Sequence, residues 1–289
     1  MLGTGRRKHY LSCTENRMIN SQSAKSRHPW IDSAKFEPLS QKEVLNEIVE
    51  QVRRESRARI RGGGKPVKVI FDLDSTIFDV KPRSLRILKE FALSARAREI
   101  SPEIAQWSLS LPGFKLLYTM EESARANEIP GPEEKAREYL KEAFRYWMAR
   151  FFTHHYVTVD HPTPGAVDYV NRVVDAGAKA VYLTGRDWPG MGRGTITMLE
   201  HWGFPVHPSV AEFILKPNAG LDDAEFKDEA LRELRITGNA VALFDNEPAN
   251  FHVFEKNFPE AWLVFYHSNC SAKDARGVNK IYRIDNFLC

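Results

Sequence analysis

Over residues 41–61 the apolar positions Val44, Leu45, Ile48, Val52 and Ile60 recur mostly three or four apart. That spacing predicts an amphipathic helix, with Ser40 placed to cap its start and Gly62-Gly63-Gly64 to end it. Residues 67–72 then form an apolar, β-branched run, the pattern of a strand buried on both faces. Comparable runs occupy 178–184, 211–215, 240–245 and 261–265. Helical patterns separate the later ones, over 163–176, 194–202, 222–235 and 248–257. The first of these has Thr163 as a cap, Pro164 in its first turn and Gly177 as its stop. Strands alternating with helices predict an α/β fold, an open parallel sheet with helices on both faces.

The interval between the first two strands breaks the alternation. Residues 80–156 contain no strand-like run and read as helices over 82–98, 102–109, 113–127 and 133–152. Pro102, Pro112 and Pro130-Gly131-Pro132 punctuate them. A crossover needs one helix rather than four, so 80–156 is expected to be an all-helical insertion. The organisation expected is a flexible basic tail (1–40), an amino-terminal helix (41–61), an α/β core (65–79 and 157–289) and the insertion.

Composition sets few further limits. The 289 residues are 43% hydrophobic and 27% charged, ordinary for a globular chain. No apolar run approaches a membrane span, and the first residues lack a secretory pattern. Met18 is a second candidate for the start. Cys13, Cys270 and Cys289 form no close pair, so a reducing, cytoplasmic setting is expected. Residues 1–65 carry 14 Lys/Arg against 7 Asp/Glu, leaving 27 against 31 for the remainder. A basic arm suits a polyanion such as nucleic acid, but no aromatic residues interleave its charges, which favours a solvated helix and tail. The three glycines precede a strand and lack a following Lys-Ser/Thr, which excludes a P-loop.

Ligands of open α/β sheets bind at the carboxyl ends of the strands. The polar residues there are Asp72 and Asp74, then Thr184, Gly185 and Arg186, then Asp245, Asn246 and Glu247. One acidic residue at a strand end is usually a turn or cap residue. Asp72 and Asp74 differ because alternate strand residues point the same way, so their charges repel unless a cation or proton relieves them. A hard divalent cation with oxygen ligands does so, and Asp245 supplies a third carboxylate.

Four segments in order complete a pattern: Val69-Ile70-Phe71-Asp72-Leu73-Asp74-Ser75-Thr76, Val181-Tyr182-Leu183-Thr184-Gly185-Arg186, Phe226-Lys227-Asp228-Glu229, and Leu243-Phe244-Asp245-Asn246-Glu247. This set resembles the motifs of the haloacid dehalogenase superfamily, over residues 67 to about 265. The resemblance implies Asp72 as a nucleophile forming an aspartyl-phosphate and Asp74 as general acid and base. It implies Thr184, with Gly185, Arg186 and Ser75, as contacts to phosphate or substrate, and Lys227 as the lysine steadying the nucleophile. It further implies Mg²⁺ held by Asp72, the Asp74 main-chain carbonyl and Asp245. Three departures keep alternatives open. Ser75 stands where many members have glycine. The outer metal contact falls to Asn246, Glu247 or Asn250. Lys216, directly after the third strand, competes with Lys227. Arg186 equally suits a structural ion pair.

The second Asp, absent from carbon–halogen hydrolases of that family, points to phosphate esters. The expected activity is thus a Mg²⁺-dependent phosphomonoester phosphatase, with a small phosphorylated metabolite as partner. A nucleic-acid-end phosphatase guided by the basic arm, a phosphotransferase or mutase, and a non-catalytic binding module are the alternatives. The insertion resembles that family's cap, which closes over the site. Trp107, Phe114, Tyr118, Phe144, Tyr146, Trp147, Phe151 and Phe152 recur in it at helical spacing, chiefly as its own core. His154-His155 with Asp160-His161 invites a zinc reading, but with no cysteine nearby, turn and surface roles are favoured.

Overall fold

The computed structural model describes residues 29–113, 115, 117 and 120–289. The tail up to residue 28, with Cys13 and Met18, lies outside the described residues, as do Phe114 and Tyr118.

In chain order the elements are α1 (Pro29–Ser33), α2 (Gln41–Gly62), β1 (Val67–Phe71), β2 (Phe78–Asp79), α3 (Lys81–Ala92), α4 (Ala95–Ile100), α5 (Pro102–Ser110), α6 (Met120–Ala126), α7 (Glu133–Met148), α8 (His154–Val157), β3 (His161–Pro162), α9 (Ala166–Asp175), β4 (Lys179–Asp187), α10 (Arg193–His201), β5 (Ala211–Lys216), α11 (Asp223–Thr237), β6 (Asn239–Asp245), α12 (Asn250–Asn257), β7 (Trp262–Tyr266) and β8 (Ile281–Ile284). A π-helical turn, Trp188–Gly192, joins β4 to α10.

Six parallel strands lie in the order β5-β4-β1-β6-β7-β8. Counted along the chain this is the doubly wound order 3-2-1-4-5-6, whose winding reverses between β1 and β6. The β-branched alternation of β1 serves both faces. Val67, Val69 and Phe71 meet α2, α9 and α10, whereas Ile70 joins the cluster under α11, α12 and Trp30. Ser40 caps α2 in a reciprocal pairing with Glu43, and Gly63, with φ of 76°, ends it.

Several boundaries differ from expectation. Helix α9 starts at Ala166 rather than Thr163. Gly165 occupies a left-handed conformation against the Phe287 main chain, where a Cβ would lie 2.6 Å from the Phe287 carbonyl carbon. Thr163 instead donates its hydroxyl to the Thr76 carbonyl at 3.0 Å. The helix expected over 82–98 is two helices, because Ser94 caps a fresh start at Ala95. Only Met120–Ala126 of the segment 113–127 is helical among the described residues, and α7 ends at Met148. Strand β8 was not expected.

Between β1 and β4 the chain passes through α3 to α8. Leu88, Phe91, Ile100, Ile104 and Tyr139 form an apolar cluster of their own there. The segment leaves and rejoins the sheet through the antiparallel pair β2–β3. Trp107 and Tyr146 pack on that cluster, while Trp147 stacks on Phe151 beside Val80 and Ile87, and Phe152 meets both rings edge-on. Phe144 stacks on Trp147.

Candidate active site

The crevice where the winding reverses is bounded by the carboxyl ends of β1 and β6, and there the structure places Asp72 and Asp245. The Asp72 amide donates to the Phe244 carbonyl at 2.9 Å, continuing the β1–β6 ladder one residue past the strand. Lys227, from the first turns of α11, reaches between the two carboxylates. Its Nζ lies 2.9 Å from Asp72 Oδ1 and 2.7 Å from Asp245 Oδ2. All three side chains are buried. Burial pushes the Asp72 carboxyl up to about 7, despite Lys227. Burial would lower the Lys227 ammonium, but Asp245 and Asp72 override it and hold it well above the usual lysine range.

Neighbouring polar groups orient the pair. Thr76 Oγ1 lies 3.1 Å from Asp72 Oδ2 and 3.2 Å from Asn246 Oδ1. Asp245 accepts from the Glu247 amide at 2.8 Å and from Asn250 Nδ2 at 2.9 Å. Asn246 in turn donates to the Asn269 carbonyl at 2.5 Å. The Glu247 carboxylate faces elsewhere and anchors Ser271 through its amide and hydroxyl. Of the three residues considered for an outer metal contact, Asn246 and Asn250 therefore lie beside the carboxylates. Lys216 is instead paired with Asp223 and donates to the Leu221 carbonyl at 3.2 Å.

Thr184 is buried at the β4 end, where its Oγ1 accepts from the Arg186 amide at 3.3 Å. Gly185 leaves room for the Asp223 carboxylate, 3.1 Å from where a Cβ would stand. Ser75 adopts the left-handed conformation, φ 62°, in the turn between Asp74 and β2. Its amide donates to the Phe78 carbonyl at 2.8 Å, and its carbonyl accepts from Ser268 Oγ at 2.5 Å.

Asp74 belongs to a second cluster that sequence reasoning did not assemble. Arg186 donates to it in bidentate fashion, Nε at 3.1 Å from Oδ2 and Nη2 at 2.7 Å from Oδ1. Arg83 Nη2 donates to the same Oδ1 at 2.6 Å. Burial alone would raise the Asp74 carboxyl, but Arg186 and Arg83 hold it well below the usual carboxylate range. Arg186 is thus committed to an ion pair within the protein and does not face outward as a substrate contact. Arg83 carried one signal in the sequence, as a charged residue on the buried stripe of α3 shared with Ile87, Leu88 and Phe91.

The histidines take separate roles. His154 Nδ1 accepts from the Gly194 amide at 3.1 Å, His155 lies beside Arg86, and His161 packs edge-on to Trp202. Among the described residues, no three His, Cys, Asp or Glu side chains gather as a metal-binding group. The magnesium set foreseen from the sequence needs only two side-chain carboxylates and a main-chain carbonyl. Two carboxylates against one ammonium leave a net negative charge among oxygen donors, which fits a hard divalent cation.

No family model matches the chain, and no curated protein matches it. Among solved structures it is similar to CbbY from Rhodobacter sphaeroides in complex with phosphate, at 13% identity and a TM-score of 0.44, over 78% of this chain and 95% of that one. It is similar to a HAD hydrolase of family IA, variant 3, from Entamoeba histolytica, at 14% identity and a TM-score of 0.38, over 78% and 94%. It is also similar to a class C acid phosphatase from Bacillus anthracis with tungstate bound, at 14% and 0.37, over 78% and 77%.

Proposed function

We propose that this chain is a Mg²⁺-dependent phosphomonoester phosphatase of the haloacid dehalogenase type, working through an aspartyl-phosphate on Asp72. The observation that carries the reading is the Asp72–Lys227–Asp245 bridge at the sheet's switch point. Two buried carboxylates sharing one ammonium are costly as a structural device. They are well suited to receive a phosphate dianion together with a metal ion.

In the first step a carboxylate oxygen of Asp72 attacks phosphorus as the bond to the ester oxygen breaks. Lys227 holds that carboxylate in place and offsets the charge of the transferring group. The buried Thr184 hydroxyl donates to a phosphoryl oxygen. In the second step water attacks the acyl phosphate and releases inorganic phosphate. Asp74 takes the proton of that water and, in the next turnover, gives it to the departing alcohol. Its two arginine partners favour the ionised form required for the water step. Asp72, Asp245 and the Asp74 main-chain carbonyl would hold Mg²⁺, with Asn246 or Asn250 beside them. When bound, the ion neutralises phosphate charge and polarises the phosphoryl oxygens.

The helices α3 to α8 act in this reading as a cap over the crevice, and a small phosphorylated metabolite is the substrate class. The test is phosphate release from a panel of sugar phosphates, nucleotides, phosphorylated oligonucleotides and phosphoamino acids, with and without Mg²⁺. The reading expects metal-dependent release that Asp72→Asn abolishes without unfolding the chain. Wild-type-like release by that variant overturns the assignment of the nucleophile.

A further inference from the structure

Four charged side chains, Asp74, Arg83, Asp160 and Arg186, meet where the helical segment joins the sheet, and of these Asp74 alone moves a proton in the proposed chemistry. Arg83 stands in the first turn of α3, directly after β2. Asp160 immediately precedes β3, and Arg186 lies near the end of β4. Arg83 and Asp160 are fully buried. Arg83 is bidentate to Asp160, with Nε at 2.8 Å from Oδ1 and Nη2 at 2.5 Å from Oδ2. Arg186 Nη2 also reaches Asp160 Oδ2, at 2.9 Å. Each guanidinium therefore bridges the two carboxylates and closes a ring of two positive and two negative charges. Thr195 Oγ1 accepts from Arg186 Nη1 at 3.0 Å, and the Phe151 carbonyl accepts from Arg83 Nη1 at 3.1 Å.

A ring of this kind is a poor source of stability, because desolvating four charges offsets their attraction. Its geometry has another consequence. Asp74 Oδ1 accepts two of the hydrogen bonds and Oδ2 only one, so the ring fixes the carboxylate's rotation and leaves Oδ2 the freer oxygen. Asp160 touches neither Asp72 nor Asp245 through any hydrogen bond or ion pair found among the described residues. Its carboxylate is held by the two arginines, its main-chain carbonyl accepts from Trp202 Nε1, and its amide donates to the Val157 carbonyl at 3.2 Å.

We infer that Arg83 and Asp160 are positioning residues of the phosphoryl-transfer site, aiming the Asp74 carboxylate at the water that breaks down the aspartyl-phosphate. The inference rests on the phosphatase reading and adds the residues by which the neck of the helical segment governs one step of it. Asp160 aligns both guanidiniums and the guanidiniums align Asp74, so a misaligned Asp74 slows the water step, while the attack of Asp72 is left intact on an ester whose leaving group needs no proton.

The experiment follows the phosphorylated enzyme by intact mass. An aryl phosphate whose phenolate leaves without a proton forms it, excess ester is removed, and decay is timed in the presence of Mg²⁺. Two variants are compared: Asp160→Asn, and the charge-neutral pair Arg83→Met with Asp160→Leu, which in the otherwise wild-type chain keeps Arg186 paired with Asp74 should the first fail to fold. Each is made in the wild-type chain and with Asp74→Asn. Decay should slow about tenfold or more in the wild-type background and less than about twofold further with Asp74→Asn, with formation nearly unchanged. Equal slowing in both backgrounds, equal slowing of formation and decay, or no slowing overturns the inference. A wild type that no ester in the panel phosphorylates defeats the phosphatase reading itself, a separate result that removes the basis of this one.

Discussion

Replacing Lys227 by methionine removes the ammonium from between Asp72 and Asp245 while keeping side-chain volume and the α11 helix. The two carboxylates would then face each other in a buried crevice. Removing one partner of a buried ion pair costs about 3–5 kcal/mol, and here both carboxylates lose the same partner. Protonation limits that cost. Asp72 is already raised to about 7 with Lys227 in place, and losing the lysine raises it further. A carboxyl whose folded pKa exceeds its unfolded value contributes stability that is complete below the unfolded pKa and is lost as pH rises through the folded one. The destabilisation of Lys227→Met should therefore be smaller at pH 5.5 than at pH 8 in metal-free protein. Urea unfolding at the two pH values, with chelator present, measures it. A loss below about 1 kcal/mol at pH 8, or one that does not grow with pH, refutes the bridging role.

Other outcomes follow from the same geometry. Asp245→Ala should weaken Mg²⁺ binding by orders of magnitude in a calorimetric titration, and an unchanged isotherm would place the ion elsewhere. Lys216→Met should leave turnover within a few-fold of wild type, since its ammonium serves Asp223; a collapse comparable with Lys227→Met would reverse the choice between the two lysines. Ser75→Gly should relieve a left-handed backbone costing about 1 kcal/mol and raise the melting temperature slightly, whereas a lower one would make the Ser75 side chain a structural contributor.

The sheet was legible because its central strands are buried on both faces, and that burial leaves largely apolar runs with polar residues at their ends. Asp72, Thr184 and Asp245 could be found as strand ends, and Lys227 as a lysine opening the helix before β6. Strand β8 left no such trace. It lies at the sheet's edge, its central residues Tyr282 and Arg283 are partly exposed, and no helix connects it to β7. The start of α9 was misplaced because Thr163 is drawn into a tertiary hydrogen bond with the Thr76 carbonyl. Arg83 and Asp160 lie 77 residues apart, and only closure of the β2–β3 pair brings them together. Spacing carries no record of such a contact. The place of Arg83 on the apolar stripe with Ile87, Leu88 and Phe91 was its one local sign.

Phosphorylation of Asp72 is tested by intact-mass analysis of acid-quenched enzyme during turnover of the best ester with Mg²⁺. A transient gain of one phosphoryl group is expected, mapped to Asp72 by peptide sequencing, reversed by hydroxylamine and absent from Asp72→Asn. Turnover with no phosphorylated enzyme, or with the group on another residue, would contradict it.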